Sequence, residues 1–233
     1  MKIEIVNSDV MINTRIAKRI IELVKRKPNA VLGLATGSSP LGIYKQIILS
    51  YQQGHVSFKD VKTFNLDEYI GLENQKDSYR HFMDLNLFDH IDIQRENIHF
   101  PDPQDPDAYD IVLEDNPIDL QLLGIGADGH IGFNEPGTPF SSLTHIATLA
   151  EKTRKDNARF FLSLSEVPSK AVTMGLSTIF KAKEIVLVAT GPNKAEAIKE
   201  MMNRESENCP ASILTNHQNV TVYLDEEAGK EIE

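Results

Sequence analysis

Twice in this chain a short apolar run empties into a turn of small residues and then into a helical pattern. Ala30-Val-Leu-Gly-Leu34 precedes Ala35-Thr-Gly-Ser-Ser-Pro40, and Glu184-Ile-Val-Leu-Val-Ala189 precedes Thr190-Gly-Pro-Asn-Lys194. Such runs lack the alternation of a half-exposed strand and fit strands covered on both faces. Further strands are predicted over residues 3–6, 61–66, 120–125 and 219–224. Ser8 or Asp9 can cap a first helix carrying Ile12, Ile16, Ile20 and Leu23 at helical spacing, and residues 79–88, 167–180 and those from Asp225 onward also read as helical. Strands alternating with helices imply an α/β fold: a Rossmann-like, mostly parallel sheet with helices on both faces. A length of 233 residues suits one domain over 1–233. Residues 98–106, with Pro101, Pro103 and Pro106, read as an irregular connection inside it.

Composition excludes several classes of function. A formal charge of −10 with scattered Lys and Arg gives no electrostatic footprint for nucleic acid. Cys209 is the sole cysteine, so neither an internal disulfide nor a Cys-pair zinc site is expected, and a buried thiol is the reading for it. The seven histidines show no His-Glu-x-x-His or similar metal spacing, and no metal is expected. The start reads as a strand rather than a secretory signal, and no segment approaches the length of a membrane span. A cytoplasmic protein without membrane contact is the expectation.

Chemistry concentrates where apolar runs stop. In Gly124-Ile-Gly-Ala-Asp-Gly-His-Ile-Gly-Phe-Asn-Glu-Pro136 the acids Asp128 and Glu135 flank His130, and interleaved glycines lower the steric cost of bringing them together. Gly124-x-Gly126-x-x-Gly129 formally matches a dinucleotide fingerprint, but Asn134-Glu-Pro-Gly137 interrupts the helix that fingerprint requires. At the earlier turn, Thr36, Gly37, Ser38 and Ser39 offer hydroxyls and backbone N–H groups at a helix N-terminus, a setting that favours a phosphate. It lacks the Gly-Lys-Ser/Thr ending of a nucleotide loop. Asp67, just past the strand at 61–66, is the candidate general base, with Glu68 as the alternative. Arg159 and Lys194 are candidate phosphate partners. Residues 137–161, polar and without clear period, read as a lid over the site.

Four segments together resemble the glucosamine-6-phosphate deaminases: Leu34-Ala-Thr-Gly-Ser-Ser-Pro40, Phe64-Asn-Leu-Asp-Glu-Tyr69, the stretch from Gly124 to Pro136, and Thr190-Gly-Pro-Asn-Lys194. The resemblance implies conversion of glucosamine 6-phosphate and water to fructose 6-phosphate and ammonia with no cofactor. It implies that His130 assists ring opening, that Asp128 and Glu135 orient it, and that Asp67 is the base of the aldose-to-ketose step. It further implies that Thr36 to Ser39, Arg159 and Lys194 hold the phosphate. Which of Asp128 and Glu135 bonds His130 is left open by the sequence. Regulated members of the family are longer, hexameric, and carry basic residues after the Asn-Glu-Pro motif that bind N-acetylglucosamine 6-phosphate. Here that region reads Ser142-Leu-Thr-His-Ile-Ala147, with His145 and Ala147 where cations are expected. An unregulated monomer without that allosteric site follows from the departure. The 6-phosphogluconolactonases share the fold and an Asp-Gly-His loop but resemble this chain less at Phe133-Asn-Glu-Pro136 and Asp67-Glu-Tyr69. Sugar-phosphate sensors share the fold too, but they need a DNA-reading module that this sequence does not display.

Overall fold

Leu, Ile and Val in the short runs lose water on both sides. Strands β1 (Lys2–Ile5), β2 (Val31–Leu34), β3 (Lys62–Asn65), β5 (Ile98–His99), β6 (Leu120–Leu123), β9 (Ile185–Ala189) and β10 (Val220–Leu224) form a seven-stranded sheet in the order β1-β10-β9-β6-β2-β3-β5. Every pairing in it is parallel. All residues of β2, β6, β9 and β10 are buried, which explains the missing alternation. The computed structural model describes residues 1–232.

Helices cover both faces. Leu32, Leu34, Leu120, Leu122, Val186 and Val188 face one core with α1 (Asp9–Arg26), α2 (Leu41–Gln52) and α3 (Tyr79–Asn86). Helix α1 buries Ile12, Ile16 and Ile20 as its spacing requires, with Val24 rather than Leu23 taking the last inward position. Their neighbours along the strands, among them Leu123, Ile185, Leu187 and Val222, face the other core with α4 (Pro106–Asp115), α6 (Leu176–Phe180), α7 (Ala195–Asn203) and α8 (Glu226–Gly229). Helix α4 begins at Pro106, so the end of the proline-rich stretch 98–106 is helical rather than irregular. Asp105 caps it by accepting from Ala108 N–H (3.3 Å), and Pro106 occupies its first turn.

A second sheet was not anticipated. Strands β4 (Asp67–Ile70), β8 (Lys170–Thr173) and β7 (His145–Thr148) pair antiparallel in the order β4-β8-β7. Residues 167–180 are therefore not one helix but β8 followed by the short α6. Residues 137–161 contain β7 and a seven-residue helix, α5 (Glu151–Asn157). Leu66 joins the two sheets, its N–H donating to Leu34 O (3.2 Å) and its carbonyl accepting from Met174 N–H (2.7 Å). After β2 the chain moves toward β3, and after β6 toward β9. The strand ends thus diverge at β2 and β6, the place where an open parallel sheet leaves a crevice for a ligand.

Candidate active site

One cleft of about 410 Å³ opens at that crevice. Thr36, Gly37, Ser38 and Ser39 line it from the turn between β2 and α2, Asp67 from β4, His130 from the loop after β6, Arg159 from the segment after α5, and Lys194 from the turn after β9. Residues distant in sequence meet because their strands are parallel and end on the same side. Asp128 and Glu135 do not line the cleft; they stand behind His130.

At one end the cleft can hold an anion. Gly37 has φ +88, a left-handed conformation that favours glycine, and it leads the hydroxyls of Ser38 and Ser39 into the start of α2. Arg159 Nη2 donates to Ser38 Oγ (3.3 Å), and its guanidinium carbon lies 4.8 Å from the Phe160 ring centre. Burial lowers the pKa of the Lys194 ammonium; Asp156 opposes the shift and nearby Arg159 adds to it. A doubly charged phosphate is the kind of anion that two such cations beside a helix start would suit.

Toward the middle stands Asp67, 5% exposed. Burial, reinforced by the charge of Glu68, pushes its carboxyl up to about 8. The carboxyl belongs to a strand rather than a helix cap, and pleating sends adjacent Glu68 elsewhere. Glu68 Oε1 accepts from the N–H groups of Tyr69 and Tyr79 (both 2.9 Å) and Oε2 from Arg80 N–H (2.9 Å), so it holds the start of α3. Burial raises its pKa too, although those donors resist the rise. Of the two acids, Asp67 alone reaches the cleft.

Opposite it, the glycine-rich loop folds back so that Gly126 N–H donates to His130 O (2.9 Å). Glycine is required at 126 because a Cβ there would fall on the His130 ring. His130 Nδ1–H donates to Asp128 Oδ1 at 2.6 Å, with Glu135 Oε2 at 3.9 Å from the same nitrogen. Asp128 is therefore the hydrogen-bonding partner. Burial works against its charge, but the bonds and charge from His130 prevail and hold its carboxyl well below the usual range. Glu135 Oε1 accepts from Ala150 N–H (3.1 Å) at the start of α5, while its Oε2 is buried without a hydrogen bond. Among the described residues, Asp128, His130 and Glu135 are also the one group whose potential metal-ligand atoms gather within 4.8 Å.

The loop is clamped from beneath. Asn134 Nδ2 donates to Ile131 O and Met174 O (both 2.9 Å), and Thr173 Oγ1 accepts from Phe133 N–H (3.0 Å). Buried Cys209 abuts Gly129, and Ala211 N–H donates to Gly129 O (2.9 Å). Sequence reasoning missed Tyr79, Thr153 and Asn157, which line the cleft from α3 and α5. Asn157 Nδ2 and Tyr79 Oη both donate to Tyr69 Oη (3.0 and 3.2 Å), tying α5 to the strand of Asp67.

The parallel sheet and this cleft are those of a known class: the chain belongs to the family described as glucosamine-6-phosphate isomerases/6-phosphogluconolactonase, whose model matches residues 10–223. A glucosamine-6-phosphate deaminase of Shouchella clausii is 51% identical over 91% of this chain and 90% of its own length. One from Mycoplasma mycoides is 46% identical over 100% and 98%. Among solved structures, a monomeric glucosamine-6-phosphate deaminase superposes with a TM-score of 0.96 at 42% identity, covering 99% of this chain and 100% of that one. A 6-phosphogluconolactonase of Leishmania guyanensis reaches 0.77 at 18% identity over 100% and 98%, a likeness of fold alone.

Proposed function

We propose that this chain is a glucosamine-6-phosphate deaminase, converting glucosamine 6-phosphate and water to fructose 6-phosphate and ammonia. The observation that carries the reading is the pairing, across one cleft, of buried Asp67 with a carboxylate-held imidazole, His130, beside a turn and two cations suited to phosphate. With the phosphate held by Thr36 to Ser39, Arg159 and Lys194, the sugar extends between the two titratable groups.

His130 moves the proton that opens the ring, taking it from the C1 hydroxyl and returning one to the ring oxygen. Asp128, bonded to Nδ1, leaves Nε2 to face the sugar and stabilises the imidazolium. Asp67 then removes the C2 proton and a proton is delivered to C1. The enolamine becomes a ketimine, which water hydrolyses to the ketone and ammonia. Asp67 must be ionised for this step, yet burial and the charge of Glu68 hold its carboxyl at about 8. The ammonium on C2 of the substrate supplies the missing positive charge and favours the carboxylate on binding.

In this reading the chain is a hydrolytic, isomerising deaminase of amino-sugar catabolism, working in the cytoplasm as a single catalytic domain and a monomer, with no cofactor. No helix among the described residues is long and apolar enough to cross a membrane. The decisive experiment incubates the purified chain, without added metal or cofactor, with glucosamine 6-phosphate and follows both products. Equimolar ammonia and fructose 6-phosphate are expected. Binding without ammonia release, or hydrolysis of 6-phosphogluconolactone instead, overturns the reading.

A further inference from the structure

The two cations of the cleft are held differently. Lys194 is half-buried in the turn between β9 and α7. Arg159 is exposed, on a segment that leaves α5 for the surface. Unlike Arg80 and Arg95, which pair with Asp84, it makes no salt bridge among the described residues. Its guanidinium is held by Ser38 Oγ at 3.3 Å and by the Phe160 ring, whose centre lies 4.8 Å from Cζ.

Phe160 has no other evident employment. It is 43% exposed, whereas adjacent Phe161 packs edge-on against Tyr69 with ring centres 5.5 Å apart. A phenyl ring left that open gains little from burial, and the neighbour that does contact its face is a cation. We propose that Phe160 is a positioning residue for phosphate recognition. Its ring holds the Arg159 guanidinium with the N–H edge directed at the 36–39 turn, so less side-chain freedom is lost when the phosphate arrives. The inference rests on the reading of Arg159 as a phosphate partner.

An exposed cation–π contact supports an effect of roughly two- to fivefold. Phe160→Leu keeps apolar bulk but removes the π face. It is expected to raise the KM for glucosamine 6-phosphate and the dissociation constant of inorganic phosphate together by that factor, with kcat retained. Phe160→Tyr, which restores the face, returns both to the parental values. In an Arg159→Gln background Phe160→Leu adds nothing further, because the contact is already gone. Unchanged phosphate affinity in Phe160→Leu, a fall in kcat alone, or a full effect persisting in the Arg159→Gln background each overturn the proposal. A parent chain that shows no phosphate binding by calorimetry overturns it as well. A parent that binds phosphate but releases no ammonia defeats the deaminase reading, and the calorimetric comparison still decides the role of Phe160.

Discussion

Asp67 is a carboxyl group taken out of water before its substrate arrives. In the unfolded chain it titrates near its ordinary 3.8, and in the cleft burial raises it to about 8. Between those values the native state keeps a proton that the unfolded state has lost, so this residue makes stability fall as pH rises from about 4 to about 8, then level off. Asp67→Asn imitates the protonated form without titrating. The variant is expected to lose deamination, retain phosphate binding, and match or exceed the parent in melting temperature at pH above 8, with the advantage vanishing near pH 4. Thermal melts across that range check it, and an equal pH slope in both proteins counts against the assignment. In the proposed mechanism the same residue shapes the rate. The acid limb of kcat/KM reports the free enzyme and is expected near pH 8, whereas that of kcat lies lower because the bound ammonium favours the carboxylate. Coincident limbs in a full pH–rate profile would exclude that coupling.

Between elements, the decisive contact is the one that fastens the His130 loop to the second sheet. Thr173 on β8 sits directly opposite Asp67 on β4, is fully buried, and takes the Phe133 N–H at 3.0 Å. Thr173→Val preserves shape and strands that N–H, which costs about 1–3 kcal/mol for a buried donor. A lower denaturant midpoint at unchanged slope is expected, with reduced turnover that Thr173→Ser recovers; a valine variant as stable as the parent would remove Thr173 from this role. The loop itself was legible in sequence because its acids and imidazole follow an apolar run, as Thr36 and Lys194 do. Strand β8 was not. Three of its four residues are buried, so period-2 alternation disappears, and Val167, Ala171 and Met174 imitate helical spacing. Missing β8 hid the sheet that carries Asp67. Tyr79, Thr153 and Asn157 were illegible for another reason: each belongs to a helix whose sequence gives no sign that its polar residues face a cavity.

For the molecule as a whole, residues 142–147, where regulated enzymes are expected to carry cations, are committed to internal contacts. Residues 142–147 contain no Lys or Arg. Ser142 takes the N–H groups of Ser177 and Leu176 (both 3.0 Å), Thr144 N–H donates to Asp110 Oδ2 (2.8 Å), and His145 Nδ1–H donates to Leu143 O (2.8 Å). Binding a second sugar phosphate there would require cations that the segment lacks and would have to displace bonds that seat β7 on α4 and α6. In the unregulated enzyme proposed above, the cleft has no effector-linked state to respond to, since a ligand shifts an equilibrium only by its differential affinity for two states. Velocity is therefore expected to rise hyperbolically with glucosamine 6-phosphate, with N-acetylglucosamine 6-phosphate changing neither kcat nor KM except as a competitor for the cleft. Sedimentation at assay concentration should give a mass near the 26.1 kDa of a single chain. A sigmoidal curve that the acetylated sugar phosphate makes hyperbolic, in a sample sedimenting as a larger assembly, would mean that copies of this chain meet at a surface whose coupling the isolated protomer does not display.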